Sequence, residues 1–261
     1  MIDHTGISDC GSRRSVNEDS MGWNVARGLY FVADGMGGHA GGATASALVQ
    51  RTLLQAQAPT LLALVRSAHE RIVERARCER ALAGMGSTVV AMQVHGARAE
   101  LVWAGDSRAY LWRAGTLSQL TRDHSLVQSL VERGRMPASV AQCHPQKNIL
   151  TQVLGGNAVN PEQARLQLRH DDWVLLCSDG LTDKLSDSEI ASVLRRSCSI
   201  EIAQDALLTA ALARSADDNV TVLLVRYTRY NAKAALAAGL TAGLSAIGAL
   251  TLFGIGWLAQ L

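Results

Sequence analysis

The sequence predicts an α+β fold in which antiparallel strands are layered against long helices, followed by an apolar C-terminal segment. Three observations carry this expectation. Short runs of aliphatic, β-branched and aromatic residues recur up to position 227 and are closed by turn residues. The runs at 88–94, 99–104 and 109–113 are separated by gaps too short for a helical crossover, so they are expected to pair as antiparallel hairpins. Elsewhere, long stretches carry apolar residues at three- and four-residue spacing, the pattern of amphipathic helices.

Taken in order, "LYFVA" (29–33) is an expected strand that ends on Asp34. Residues 41–57 and 60–83 read as helices, and Thr60, following Pro59, is the expected N-cap of the second. "TVVAMQV" (88–94), "AELVWA" (99–104) and "AYLWR" (109–113) supply the hairpins. Residues 122–150 are polar, partly helical and interrupted at Pro137, and read as an inserted flap. "DWVLLCS" (172–178) is a further strand. "SDSEIASVLRR" opens a helix on a capping box that joins Ser186 to Glu189, and "NVTVLLVRY" (219–227) closes the series.

The chain has 261 residues, of which 48% are apolar, enough for a sizeable core. A net charge of +2 without a Lys/Arg run gives no general pull toward nucleic acid. Five scattered cysteines without CxxC spacing exclude a disulfide framework and a zinc site, and suit a reducing compartment; Cys177, within an apolar run, is expected to be a buried thiol. The N-terminus lacks the apolar stretch of a cleaved signal peptide. From 234 to 261 no residue is charged. Residues 234–259 as a helix would span about 39 Å, more than the roughly 30 Å of a hydrocarbon layer. They are the expected transmembrane helix of an anchor at 230–261. Arg226, Arg229 and Lys233 precede it, which places the body of the protein in the cytoplasm, and Gly239 with Gly243 form a GxxxG pair suited to a weak dimer.

Carboxylates fall repeatedly where apolar runs end. "FVADG" ends on Asp34, "VWAGDSR" on Asp106, "LLCSDG" on Asp179, "ADDN" places Asp217 and Asp218 before a strand, and "VNEDS" adds Glu18 and Asp19. If Asp19, Asp34, Asp179 and Asp218 converge, each ionised pair about 4 Å apart repels by roughly 4 kcal/mol at an effective dielectric near 20. Two divalent cations would relieve this, and an all-oxygen donor set selects Mg²⁺ or Mn²⁺. Gly35, Gly37 and Ala40 also fit the GxGxxA form of a dinucleotide loop, but Asp34 would repel a pyrophosphate there, and no acidic strand end follows about twenty residues on.

The blocks "RRSVNEDS", "VADGMGGHAGG", "GSTVV", "VWAGDSRAYLWRAG", "LTRDHSLVQSLVERG", "HPQKNILTQVLG", "LLCSDGLTD" and "ADDNVTVLLVR" together resemble the bacterial metal-dependent protein serine/threonine phosphatases of type 2C. The resemblance covers nearly all of residues 11–227. It implies a catalytic domain at 1–229 with a four-layer α-β-β-α sandwich, two antiparallel sheets flanked by helices, and a flap subdomain at 122–150. It also implies two Mn²⁺ or Mg²⁺ ions, with a third, weaker one. Asp34 would bridge the ions, the Gly35 carbonyl would bind the first, and Asp179 and Asp218 would complete the second. Asp19, with Glu18, would hold bound waters, Asp106 would serve the third ion, and Asn219 would support the ligands from behind. Arg14 would grip the substrate phosphate, with Arg13 merely solvated. A hydroxide bridging the metals would attack phosphorus directly, without a phosphoenzyme. Relatives with histidine directly after "DG" differ from this chain, which has Met36 there and His39 later, so His39 is the candidate proton donor beside water. His124 and His144 read as structural or substrate-facing. The implied partners are phosphoproteins and a serine/threonine kinase at the bacterial inner membrane. The rival reading is a pseudo-phosphatase that only binds phosphoproteins, which loss of a core ligand would favour; no such loss is seen.

Overall fold

A computed structural model describes residues 1–37, 40–141, 144–157 and 159–229. His39, the expected span at 234–259 and the Gly239/Gly243 pair lie outside the described residues. Among the described residues no helix is long and apolar enough to cross a membrane.

Residues Ile2–Thr228 form one unit. Strands β1 (Ile2–Asp9), β2 (Asp19–Asn24) and β3 (Leu29–Met36) are followed by helices α1 (Ala40–Gln55) and α2 (Leu61–Cys78). A short β4 (Gly86–Ser87) leads into β5 (Val89–His95), β6 (Arg98–Ala104), β7 (Arg108–Arg113) and β8 (Thr116–Gln119). The flap carries α3 (Leu126–Glu132) and α4 (Ala138–Ala141), split at Pro137 as expected. Then come β9 (Glu162–Gln167), β10 (Asp172–Cys177), α5 (Asp179–Thr182), α6 (Asp187–Arg196), α7 (Ile200–Leu212) and β11 (Val220–Tyr227). One sheet runs β1-β11-β10-β7-β8 and the other β2-β3-β5-β6-β9, with β4 against β3; every pairing is antiparallel.

Alternation along each strand explains the layers. In β3, Leu29, Phe31 and Ala33 face Val49, Leu53, Leu64 and Ile72 of α1 and α2, whereas Tyr30 and Val32 face Leu176 and Leu223 of the other sheet. The opposite face of that second sheet packs Leu175, Val222 and Leu224 on Leu194 of α6 and Leu207 of α7. Central strands are thus buried on both faces and read as unbroken apolar runs. Cys177 is fully buried, and burial pushes its thiol up to about 12. The chain end of α1 is held by Arg27, whose Nη1 donates to the carbonyls of Leu53 (3.0 Å) and Ala56 (3.3 Å).

The two sheets are stacked with their functional ends together. The end of β3, the start of β2, the β6–β7 turn, the end of β10 and the start of β11 meet at one edge. The opposite edge holds Ile2, Asp172 and Tyr227, which pair in register, and the chain leaves β11 there.

Two expected helices begin as read. Thr60 accepts from the Ala63 amide at 3.1 Å, and Ser186 and Glu189 form the capping box. The second helix is shorter than the sequence suggests: it ends at Cys78 and is followed by a 3₁₀ turn at Arg80–Leu82, where the glutamate- and arginine-rich face gives way to the Gly84 turn. Because the Thr60 cap is exposed, Thr60→Ala is expected to cost about 1 kcal/mol. This should lower the urea midpoint without changing the slope; an unchanged midpoint would show that the cap contributes nothing.

Candidate metal centre

The site is assembled from chain ends rather than from one motif. Asp19 opens β2 and is directly opposite Asp34 of β3 in register. The Asp34 amide donates to Thr88 Oγ1 (3.0 Å) and its carbonyl accepts from the Thr88 amide (2.8 Å), so β3 is pinned to the strand that follows β4. Thr88 Oγ1 in turn lies 2.7 Å from Ser107 Oγ in the turn that carries Asp106. Asp179 is the first residue of α5, separated from the end of β10 by Ser178 alone, and Asp218 immediately precedes Asn219 and β11.

The loop at 10–18 is closed over these ends by Asn219. Its Oδ1 accepts from the Glu18 amide at 2.8 Å, and its Nδ2 donates to the carbonyls of Cys10 (3.0 Å) and Val16 (3.2 Å). The fit leaves no room at Gly35, where a Cβ would stand 2.1 Å from the Gly42 carbonyl oxygen and 2.6 Å from that of Glu18. Gly105 in the Asp106 turn takes φ +110°, a conformation that glycine adopts without strain.

Beside them lies a cavity of about 270 Å³. Arg14, Glu18, Asp34, Asp106, Asp179 and Asp218 are its charged lining, and Met36, Thr88, Asn148 and Leu150 line it as well. Arg14 donates to Asp218 Oδ2 at 2.9 Å and lies 3.8 Å from Glu18, with about half of its side chain exposed. Arg13, by contrast, is exposed and pairs with Asp217 (3.1 Å). A neighbouring cavity of about 370 Å³ under the flap shares Asp106, Asn148 and Asp179 with the first, and Lys147 of the flap reaches Asp183 at 2.7 Å.

The electrostatics report the crowding. Burial, followed by the charges of Asp19, Asp179, Asp106 and Asp218, holds the Asp34 carboxyl well above the usual carboxylate range. Burial, then Asp106, Asp183, Asp218 and Asp19, does the same to Asp179. Burial raises Asp19 to about 6, against the pull of hydrogen bonds from Thr221 and Ser178, and raises Asp106 to about 7 with Asp123 adding to it.

Whether cations fit can be judged from the unsatisfied atoms. Glu18 Oε1, Asp19 Oδ1 and Asp179 Oδ1 are buried oxygens with no hydrogen-bond partner, a costly arrangement unless a cation or its water serves them. Among the described residues no three His, Cys, Asp or Glu side chains already close on one point. The expected tight meeting of four carboxylates is therefore looser, because each is fixed to a different strand end. Ions held here would take part of their shell from backbone carbonyls such as that of Gly35 and from water, as Mg²⁺ and Mn²⁺ readily do. The donor set fits such cations.

The profile described as protein phosphatase 2C matches residues 9–215. The chain belongs to the protein phosphatase 2C family. Its relatives include the serine/threonine protein phosphatase PstP of Mycobacterium tuberculosis, 41% identical over 241 residues covering 88% of this chain and 46% of PstP. The chain thus spans about half the length of that relative. The serine/threonine phosphatase stp of Listeria welshimeri is 36% identical over 234 residues, covering 84% of this chain and 93% of stp. A crystal structure of the PstP catalytic domain in complex with 2 manganese ions has a TM-score of 0.77 and 35% identity, covering 87% of this chain and 99% of that one.

The structure gathers Arg14, Glu18, Asp19, Asp34, Gly35, Asp106, Asp179, Asp218 and Asn219 at this phosphatase-family site, and His39 falls outside the described residues. His124 is buried, accepts from the Gly105 amide at 3.2 Å and so braces the Asp106 turn, a structural place. His144 stays on the flap, where its Nδ1 accepts from the Gln146 amide. Sequence reasoning missed Thr88 in a segment read as strand, Asn148 in the flap and Asp183 in the "LLCSDGLTD" block, all of which line the cavities. "SDGLTD" does repeat its aspartate at a four-residue interval, one helical turn apart, and that signal could have found Asp183.

Unfolded carboxyls titrate near 4, so the cation-free fold binds extra protons between about pH 4 and 7. The stability these groups contribute is fully present below pH 4 and is lost as pH rises through 6 and 7. The melting temperature of the EDTA-treated chain is therefore expected to fall between pH 5.5 and 8, and the increment produced by Mn²⁺ to grow over the same range. A flat increment would contradict this assignment of the buried carboxylates.

Proposed function

We propose that the protein is a metal-dependent phosphatase that hydrolyses phosphoserine and phosphothreonine on proteins, opposing a bacterial serine/threonine kinase. One observation carries the reading. A family-typical pocket combines buried, unpartnered carboxylate oxygens with a half-exposed arginine that can meet a phosphate. Asp34, the Gly35 carbonyl, Asp179 and Asp218 are the proposed direct ligands of two Mn²⁺ or Mg²⁺ ions, Asp19 and Glu18 hold bound water, and Asp106 serves a third, weaker ion. Bound ions of this kind make water nucleophilic near neutral pH and offset the negative charge of the phosphoryl oxygens.

The remaining work falls to the chain itself. Arg14 is aimed by Asp218 and Glu18 and donates charge-assisted hydrogen bonds to the phosphate. Asn219 fixes the loop that carries Arg14 and Glu18, so the phosphate site and the carboxylates keep one geometry. Met36, Leu150 and Asn148 line the same pocket and are the proposed contacts of the leaving side chain. His39 is the proposed donor of the proton to the leaving oxygen.

The uncharged run at 234–259, preceded by Arg226, Arg229 and Lys233, supports a single-pass anchor with the catalytic domain in the cytoplasm. Two such anchors could pack at Gly239 and Gly243. Retention of the full chain in the membrane pellet after alkaline carbonate, and its release on deletion of 230–261, is the expected result; extraction of the full chain by carbonate would remove the anchor from the reading.

Hydrolysis of p-nitrophenyl phosphate and of a phosphothreonine peptide by the full chain is expected to require Mn²⁺ or Mg²⁺ and to stop in EDTA. Asp179→Asn should lower kcat/KM by about 100-fold or more. Arg14→Ala should act mainly on KM, by about tenfold, the worth of one hydrogen bond to a charged group. A folded, Mn²⁺-loaded chain that turns over neither substrate would favour the phosphoprotein-binding alternative.

A further inference from the structure

Asp19 is held in an unusual way. Its Oδ2 accepts two hydroxyl donors, Thr221 Oγ1 at 2.6 Å and Ser178 Oγ at 2.7 Å, whereas its Oδ1 has none. Ser178 and Thr221 are almost fully buried. Ser178 stands at the N-cap position of α5, where a serine hydroxyl ordinarily caps its own helix, yet it makes no such bond. Its hydroxyl is directed to Asp19 instead, and it accepts from the Thr221 amide at 2.9 Å.

Donor accounting extends the chain. Thr221 has one hydroxyl proton, and that proton is committed to the carboxylate. In the 2.7 Å contact between Ser8 Oγ and Thr221 Oγ1 the donor must therefore be Ser8. With the Ser8 proton spent on Thr221, Ser8 Oγ accepts from Asn17 Nδ2 at 2.8 Å. Asn17 Oδ1 accepts in turn from the Asp19 amide at 3.0 Å. The result is a ring with one direction throughout, from Asn17 to Ser8, to Thr221, to Asp19 and back. It ties β1 and β11 of one sheet to β2 of the other, since Ser8 and Thr221 are register partners.

If these hydroxyls served only to solvate a buried carboxylate, both oxygens would be expected to receive donors. All of them converge on one. We infer that Thr221 and Ser178, with Ser8 and Asn17 behind Thr221, are positioning residues that turn Asp19 so that Oδ1 alone is offered to a divalent cation or its water. This rests on the two-metal reading of the pocket above.

The test is Mn²⁺ binding to the metal-stripped full chain, followed by electron paramagnetic resonance of free Mn²⁺, for wild type, Thr221→Val, Thr221→Ser and Ser178→Ala. Urea unfolding in EDTA is run beside it to establish that each variant is folded. Thr221→Val keeps the shape and removes the donor, and should weaken Mn²⁺ binding by about tenfold to 100-fold, the usual effect of losing a partner behind a ligand. Thr221→Ser should restore affinity to within about threefold of wild type, because it restores only the donor. Ser178→Ala should weaken binding in the same direction, and it decides the matter if Thr221→Val fails to fold. Wild-type affinity in folded Thr221→Val or in folded Ser178→Ala, or no recovery in Thr221→Ser, would overturn the inference and leave the two-metal reading intact. Absence of Mn²⁺ binding by the wild-type chain would overturn both.

Discussion

Mutual repulsion among buried carboxylates is the constraint around which this protein is organised. Asp19, Asp34, Asp106, Asp179 and Asp218 each raise, or are raised by, another of the set, and three buried oxygens near them have no partner. Among the described residues that line the pocket, Arg14 alone carries an opposing charge. The rest of the fold over-determines the geometry of this pocket. Two sheets with three apolar cores hold the strand ends, and Asn219 ties the loop at 10–18 to the start of β11. The stability of the cores is what makes an electrostatically unfavourable site sustainable.

The same constraint accounts for what was readable before the structure. Central strands are buried on both faces, so β3, β5, β6, β7, β10 and β11 appear as apolar runs, and the carboxylates that close them stand out by contrast. The edge strands were not legible. β1 is half-buried along its length, β9 alternates between exposed and half-buried positions, and β8 is a four-residue strand, so none presents a continuous run. β2 is ambiguous in "DSMGWN", where one glycine and a serine interrupt its apolar residues. The fold class, the flap and the carboxylate set could be reached from strand ends and spacing together with the family resemblance. The hydroxyls around Asp19 could not, because Thr221 lies 202 positions from its partner and Ser178 159. A threonine within "NVTVLL" reads as an ordinary β-branched strand residue, and only the packing of one sheet on the other gives its hydroxyl a task.

Placement of the site between sheets, rather than on one of them, follows from this. Asp19 and Asp34 belong to one sheet, and Asp179 and Asp218 flank strands of the other. Asp106 occupies the turn where the chain passes from β6 of one sheet to β7 of the other. Cation affinity and the packing of the two sheets are therefore linked quantities: a ligand that bridges both sheets stabilises their contact, and a substitution that loosens the contact weakens the ligand.

The chain leaves the sandwich at Tyr227, at the far end of β11 from Asp218 and Asn219. Eight residues of strand at about 3.3 Å each put roughly 26 Å between that exit and the carboxylate pocket. A change at the Tyr227 end of β11 therefore reaches the carboxylates only along the strand, whose register with β1 and β10 fixes where Asp218 and Asn219 stand.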